Sequence, residues 1–140
     1  SQFKRIGSTS ALQREITCWQ FLVCNYSPGL DGLMEFYNNK LSRNETKINN
    51  AFLNHAPWPA VLNLPYFSKG NDDLIQKIRH GILKGITATE IGFYGPQGRN
   101  FRLKLRIIDL NNRLSFFCYN GNSILNFEME TSALYHLVSY

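Results

Sequence analysis

Segments with the pattern of buried strands alternate along this chain with segments that have the pattern of amphipathic helices. The predicted strands cover residues 3–6, 16–24, 86–89, 101–108 and 123–127. The predicted helices cover residues 30–37, 44–52, 72–84, 109–118 and 131–140, and Asn44 is the expected cap of the second. Turns are expected at residues 25–29 and 119–122. Such an alternation predicts an α/β domain built on a largely parallel sheet. In sheets of this kind, ligands bind at the carboxyl ends of the strands.

The length and composition indicate one globular domain over residues 1–140. Apolar residues make up 44% of the 140 residues, which is enough for a hydrophobic core. Fifteen basic residues against ten acidic ones give a net charge of +5. That charge favours anionic partners such as phosphate, nucleotides, nucleic acid or a membrane surface, without choosing among them.

The chain shows no apolar run of about 20 residues and no signal-peptide pattern, so we expect no membrane span. Cys18, Cys24 and Cys118 are odd in number and have no Cys-x-x-Cys spacing. We therefore expect buried thiols in a reducing cytoplasm rather than a disulfide framework or a zinc site.

A shaped loop, Gly-Phe-Tyr-Gly-Pro-Gln-Gly-Arg, covers residues 92–99, just after the predicted strand 86–89. Its three glycines and one proline exclude both a helix and a regular strand. The ring of Phe93, the amide of Gln97 and the guanidinium of Arg99 suit a flat ligand with carbonyl and N–H edges. The alternative is a surface turn in which Arg99 is solvated.

A second group of polar residues follows the predicted strand 3–6. Arg5 precedes the small-residue run Gly-Ser-Thr-Ser of residues 7–10, which includes Ser8. Small residues let backbone N–H groups turn toward an anion, so this segment suits half of a phosphate site. An ordinary serine-rich turn is the alternative, and the Gly-Lys-Ser/Thr of a P-loop is absent from the sequence.

The third group, Glu128, Met129 and Glu130, lies where the predicted strand 123–127 meets the last helix. Carboxylates are costly to bury unless something binds them. A carboxylate here can accept from the vicinal hydroxyls of a ribose, and Met129 can lie against the sugar. Alternatively, Glu130 interacts with the helix N-terminus. Because all three groups follow predicted strands, we expect them to share one pocket.

These three motifs, in this order and spacing, resemble those of nucleoside phosphorylases of the uridine phosphorylase type. The resemblance extends over nearly the whole chain, from Phe-Lys-Arg-Ile-Gly-Ser-Thr-Ser-Ala-Leu-Gln at residues 3–13 to Asn-Phe-Glu-Met-Glu-Thr-Ser-Ala-Leu-Tyr at residues 126–135. It implies a three-layer α/β sandwich, with a mixed, largely parallel sheet and flanking helices. The loop at residues 93–99 particularly resembles the pyrimidine branch of the family.

The resemblance implies phosphorolysis, in which a nucleoside and phosphate give ribose 1-phosphate and a free base. It assigns Arg5 and Ser8 to phosphate, Phe93, Gln97 and Arg99 to the base, and Glu128, Met129 and Glu130 to the ribose. Gln97 and Arg99 would be the catalytic pair, because they would stabilise negative charge on the departing base. Uridine is the implied substrate, and the enzyme would be a pentosyltransferase of nucleoside salvage.

The resemblance also implies the cofactors and partners. Inorganic phosphate would be the co-substrate, with no metal and no other cofactor. The partners would be a small-molecule nucleoside and phosphate, with no nucleic acid and no membrane. The full-length protein would be a cytoplasmic homo-oligomer whose pockets are completed by a neighbouring subunit.

Two departures from the family pattern matter. Ser10 stands where the family usually has glycine, so a positive φ there would strain the turn. The chain also lacks an earlier glycine- and arginine-containing phosphate segment, as well as the strand and loop that normally follow the last helix. We therefore interpret residues 1–140 as a single partial domain, incomplete at both ends: a central fragment or a decayed copy.

Three rival functions remain open at this point. A nucleosidase would use water in place of phosphate. A truncated, catalytically silent nucleoside-binding or interaction protein would bind uridine, or nothing, without releasing a base. An RNA-binding module would use the four cations of the loop and the segment after it, Arg99, Arg102, Lys104 and Arg106.

Overall fold

Six strands form one mixed sheet in the computed structural model, which describes residues 4–38, 40–78 and 80–138. The strands are β1 (Ser10–Ala11), β2 (Leu22–Gly29), β3 (Tyr66–Lys69), β4 (Leu83–Thr89), β5 (Cys118–Tyr119) and β6 (Asn122–Glu128). Their order is β1-β6-β4-β2-β3, and β5 pairs with β6 outside this path. The central strands β2, β4 and β6 are parallel, while β1, β3 and β5 pair antiparallel with their neighbours. The predicted largely parallel sheet is confirmed.

Helices cover both faces of this sheet. They are α1 (Arg43–His55), α2 (Asp72–Ile78), α3 (Leu110–Ser115) and α4 (Thr131–Val138), with short 3-10 helices at Leu33–Phe36 and Gly95–Gln97. Side chains alternate between the faces along a strand. Accordingly, Ile86 and Ala88 of β4 join the hydrophobic core with α1 and α3, whereas Thr89 bonds to the backbone of Ser132 in α4.

The start of α1 is fixed by a capping box. The Ser42 hydroxyl accepts from the Glu45 backbone N–H at 3.3 Å, and the Glu45 carboxylate accepts from the Ser42 N–H at 2.8 Å. The other Glu45 oxygen accepts from the Lys69 N–H at 3.0 Å, which ties the helix to β3. The expectation that Asn44 caps this helix is wrong, because Asn44 already lies inside it.

The predicted strand 16–24 is displaced toward the C-terminus. Residues 16–21 are irregular, and Trp19 is 99% exposed with a φ of 67°. The strand runs instead through Asn25 and Ser27, which the sequence indicated as a turn. These polar side chains are buried because they find partners: Asn25 bonds to Asn122 at 3.0 Å, and Ser27 donates to the Thr87 carbonyl at 2.6 Å.

Two further strand predictions are wrong. Residues 101–108 are irregular, and Leu103 is 88% exposed; the alternation is present in the sequence, but no neighbouring strand pairs with this segment among the described residues. Residues 4–6 are also irregular and exposed, and Phe3 lies outside the described part of the chain. The expected strain at Ser10 is absent, because Ser10 is paired in β1 and its φ is not positive.

The C-terminal elements agree better with the sequence. Strands β4 and β6, the turn at Asn120 and Gly121, and α4 as far as Val138 are confirmed; residues 139 and 140 are not described. The helix predicted over 72–84 is shorter than expected, since α2 ends at Ile78 and Gly81 turns the chain with a φ of 70° into β4.

Cys18 and Cys118 are exposed rather than buried, and the three thiols are free. In the described part of the chain, no helix combines the length and apolar character needed to cross a membrane.

Candidate active site

The carboxyl ends of β2, β4 and β6 lie at one edge of the sheet. Gly29 is level with Thr89, and Thr89 is level with Glu128. The Leu30 N–H donates to the Thr89 carbonyl, and the Glu90 N–H to the Glu128 carbonyl, each at 2.9 Å. The loop of residues 92–99 and the motif of residues 128–130 therefore leave the sheet from adjacent strand ends.

The N-terminal segment reaches the same edge by another route. It precedes a strand rather than following one, because residues 4–6 are irregular and β1 begins at Ser10. Since β1 runs antiparallel to β6, with Ser10 opposite Phe127, the residues before Ser10 extend past the end of β6. Arg5 is thereby brought to Glu128 and Glu130.

Arg5 forms ion pairs with both carboxylates of the motif Glu128, Met129 and Glu130. Its Nη1 lies 3.3 Å from Oε2 of Glu128, and its Nη2 donates to Oε2 of Glu130. The Glu128 side chain is only 1% exposed, whereas that of Glu130 is 49% exposed. Two predicted ribose ligands are therefore paired with the residue predicted for phosphate. One of them, Glu130, is accessible to a ligand from solvent.

The loop residues form a separate cluster. The guanidinium of Arg99 lies over the Phe93 ring, with Cζ 3.6 Å from the ring centroid. Its Nη1 donates to the Phe93 carbonyl at 2.5 Å and to Oε1 of Gln97 at 3.0 Å. Gln97 is buried, while Phe93 is half-exposed. The three residues predicted to bind the base thus contact one another directly, and Nε2 of Gln97 remains as a donor.

The turn of this loop is held from α3. Nδ2 of Asn111 donates to the Gln97 carbonyl at 3.0 Å, which fixes the backbone beneath the Gln97 side chain. The next residue, Gly98, has a φ of 75°, and a Cβ there would lie 2.2 Å from the same Asn111 nitrogen. The close approach of α3 to the loop therefore requires glycine at position 98.

The two clusters line two different cavities. Arg5 and Glu128 line a cavity of about 630 Å³, and Gln97 and Arg99 line one of about 680 Å³. The consecutive residues Thr9 and Ser10 line different cavities, so the segment entering β1 runs along the division between them. The expected single pocket is divided in two in this structure.

The remaining predicted residues, Ser8 and Met129, lie beside the Arg5 cluster. Ser8 is exposed between Gly7 and Thr9, both of which line the cavity of Arg5. Met129 is half-exposed between the two glutamates. Their contacts with phosphate and ribose stay predictions, as do the ligand assignments of the other six residues.

Two functional candidates at the strand ends were missed from the sequence. Thr89 donates to the Glu128 carboxylate at 2.5 Å. Glu90 is only 4% exposed, and no hydrogen-bond partner for its Oε1 is found within the described residues. Burial, and secondarily the charge of Asp31, raise the pKa of Glu90 to about 8. The sequence carries one signal for Glu90: it is a carboxylate directly after an apolar strand, as Glu128 is.

Among the residues described, no group of three His, Cys, Asp or Glu side chains could hold a metal ion.

Comparison with known proteins supports the fold. No family model matches the chain, and no match is found among curated proteins. A structural match is found to a nucleoside phosphorylase of Trypanosoma brucei, whose crystal structure is described as showing uridine phosphorylase activity. The TM-score is 0.82 at 21% sequence identity, over 95% of this chain and 48% of that one. The chain therefore has the α/β fold of a nucleoside phosphorylase, and spans about half the length of that enzyme.

Proposed function

We propose that this chain carries the nucleoside-binding edge of a nucleoside phosphorylase, and that its substrates are uridine and inorganic phosphate. The observation that carries the proposal is the register of the parallel strands. It brings the loop that carries Phe93, Gln97 and Arg99 and the glutamates at 128 and 130 to one edge of the sheet, where the antiparallel pairing of β1 with β6 adds Arg5. The sheet has the fold of a nucleoside phosphorylase. The products are ribose 1-phosphate and uracil.

The charges at this edge suit the proposed bond cleavage. Breaking the N-glycosidic bond leaves positive charge on the ribose and negative charge on the departing base. Arg99 carries N–H donors beyond those given to Phe93 and Gln97, and Nε2 of Gln97 adds another. These donors would stabilise charge that develops only as the base departs, so they act on the transition state more than on ground-state binding.

The Arg5 cluster suits the other two parts of the substrate pair. Phosphate would take the place of Glu130 as the anion beside the Nη2 of Arg5, with Ser8 as a further donor. Glu130, once released, could accept from the ribose hydroxyls above Met129. A guanidinium that holds phosphate near the ribose also places negative charge beside the sugar cation.

The preference for uridine rests on the loop. An amide donates to a carbonyl and accepts from an N–H, which matches the edge of uracil. Oε1 of Gln97 accepts from Arg99 at one of its two lone-pair positions, which leaves the other for the N–H of uracil, while the remaining donors of the pair would meet the carbonyl groups. Phe93 would stack on the base with the ring face that Arg99 leaves uncovered.

We propose a cytoplasmic homo-oligomer for the longer protein, with no metal, nucleic acid or membrane as partner.

A second candidate is a catalytically silent nucleoside-binding protein. The division of the site into two cavities favours it, since Arg5 and Arg99 line different cavities. In that case the chain would bind uridine or uracil without releasing or consuming base.

The deciding experiment measures uracil release from uridine with and without phosphate, alongside calorimetric binding of uridine. Release that requires phosphate supports the proposed phosphorylase. Release that is independent of phosphate indicates a nucleosidase. Binding without release identifies the silent protein, and the absence of both binding and release overturns the proposal. Inosine serves as the control for base preference.

A further inference from the structure

The geometry points to Thr89 as a positioning residue of this site. Its hydroxyl holds the Glu128 carboxylate in the orientation in which that carboxylate anchors the guanidinium of Arg5. Glu128 anchors Arg5 in the free protein, without any ligand. Only the consequence of this anchoring, tighter binding of phosphate by Arg5, rests on the proposed function.

The direction of the Thr89 hydrogen bond is settled by its neighbours. The Ser132 backbone N–H donates to Oγ1 of Thr89 at 2.9 Å, so this oxygen already acts as an acceptor. The single hydroxyl hydrogen therefore points to Oε1 of Glu128, 2.5 Å away. Thr89 is fully buried, and water cannot replace this donor without entering the interior.

A second buried hydroxyl packs beside Thr89. Ser27 donates its hydrogen to the Thr87 carbonyl at 2.6 Å, and its oxygen lies 3.0 Å from Oγ1 of Thr89, which keeps its own hydrogen for Glu128. Ser27 is also fully buried. The Thr89 side chain, already restricted by its branched Cβ, is thus held in the rotamer that faces Glu128 by its hydrogen bonds with the Ser132 N–H and with Glu128.

The other oxygen of Glu128 is equally engaged. Its Oε2 accepts from the backbone N–H groups of Glu130 and Thr131, each at 2.8 Å, and lies 3.3 Å from Nη1 of Arg5. Oε2 therefore has three donors and Oε1 has one, and the Glu128 side chain is only 1% exposed. A ribose hydroxyl has no open approach to so buried a carboxylate, so Glu128 serves as the anchor of Arg5, and the ribose role expected from the sequence passes to Glu130 alone.

Loss of the Thr89 hydroxyl would therefore be transmitted to Arg5. A carboxylate whose side chain is 1% exposed cannot be left with one oxygen unpaired at low cost. It would turn toward another donor, and that change weakens its hold on the guanidinium. The effect passes through Glu128, because Thr89 itself touches neither Arg5 nor the expected phosphate position.

The test compares three variants of the whole chain. Thr89→Val removes the hydroxyl and keeps the shape, whereas Thr89→Ser restores the hydroxyl. Thr87→Val is the matched control, because Thr87 lies on the same strand and face and donates to Asn126 rather than to Glu128, at 2.9 Å. Titration with inorganic phosphate should show about tenfold weaker binding for Thr89→Val. Thr87→Val and Thr89→Ser should stay within about twofold of wild type.

A second measurement does not depend on phosphate. The two Nη groups of Arg5 should give separate, slowly exchanging NMR signals in the wild-type protein, since each faces a different carboxylate. These signals should merge or exchange faster in Thr89→Val and persist in Thr87→Val. Unchanged Arg5 signals in folded Thr89→Val, or equal changes in both valine variants, would overturn the anchoring role. Wild-type protein that shows the Arg5 signals but binds no phosphate would refute the phosphate site alone.

Discussion

The guanidinium of Arg99 lies over the ring of Phe93, with Cζ 3.6 Å from the ring centroid, and donates to the carbonyl of the same residue. A cation–π contact of this kind contributes about 0.5–1 kcal/mol at an exposed site. One face of the ring is therefore covered before any ligand arrives. In the proposed complex, the base would stack on the other face of Phe93, and its edge would meet the donors of Arg99 and Gln97.

Replacing Arg99 should impair turnover more than binding. We expect Arg99→Ala to lower the kcat of uridine phosphorolysis by roughly 100-fold or more, as for the loss of one donor to a developing anion. The KM for uridine should change much less. Steady-state kinetics would measure both constants. The control is Arg102→Ala, which removes an exposed cation three residues away; equal losses in both variants would exclude a specific role for Arg99.

A methyl group at position 98 should destabilise the loop. Gly98→Ala places a Cβ 2.2 Å from Nδ2 of Asn111 and a non-glycine residue at a φ of 75°. We expect the free energy of unfolding to fall by roughly 1–3 kcal/mol, as measured by urea denaturation. Gly92→Ala, in the same loop, is the control, since nothing lies within 4 Å of its added Cβ. A Gly98→Ala protein as stable as Gly92→Ala would contradict the contact with α3.

The buried carboxyl of Glu90 should make stability fall as the pH rises. Its pKa is raised from the ordinary value of 4.5 to about 8, chiefly by burial. Between these values the folded protein keeps a proton that the unfolded chain releases. The free energy of unfolding should therefore decrease with rising pH across this window, by up to about 1.4 kcal/mol per pH unit.

The measurement is urea denaturation at pH 6 and pH 8. Glu90→Gln, which carries no titrating proton, should lose much of the difference between the two pH values. Glu15→Gln is the matched control at an exposed position and should retain the wild-type difference. A wild-type protein whose stability is higher at pH 8 than at pH 6 would count against a protonated Glu90.

The capping box of α1 provides a test of the corrected helix start. Ser42→Ala removes the acceptor for the Glu45 N–H and should lower the free energy of unfolding by about 1 kcal/mol. Asn44→Ala should cost less than about 0.5 kcal/mol, because Asn44 is an exposed residue inside the first turn. Thermal and chemical denaturation of the two variants would compare them, and a greater loss for Asn44→Ala would restore the original assignment.

The local sequence pattern predicted an element correctly where the residues of that element alone determine it. Strand β6 and helix α4 follow from an apolar run and an amphipathic repeat. The local pattern gave a wrong prediction where the secondary structure depends on a partner that is distant in the sequence. Ser27 suggests a turn by composition, but it lies inside β2 because the Thr87 carbonyl accepts its hydrogen. The segment 101–108 alternates as a strand does, yet alternation cannot supply the neighbouring strand that the ladder requires.

The same distinction applies to the site. Arg5, Glu130 and Arg99 stood out because charged groups near strand ends are chemically unusual. Thr89 did not, since a threonine that ends a strand is ordinary until the register of β4 against β6 places it opposite Glu128. The division into two cavities likewise depends on β1, a two-residue strand whose pairing with β6 no local pattern indicates.

That short strand has a consequence for substrate size. Strand β1 pairs with β6 through Ser10 opposite Phe127 and Ala11 opposite Asn126. The Leu12 N–H continues this pairing by donating to the Leu125 carbonyl at 2.8 Å. The pairing holds this segment of the chain in place between the two cavities. Ser10 lines the cavity of Arg99 and Thr9 lines that of Arg5, so a molecule that contacts both arginines has to span the backbone at these two residues. A ligand shorter than that crossing fills only one of the two cavities.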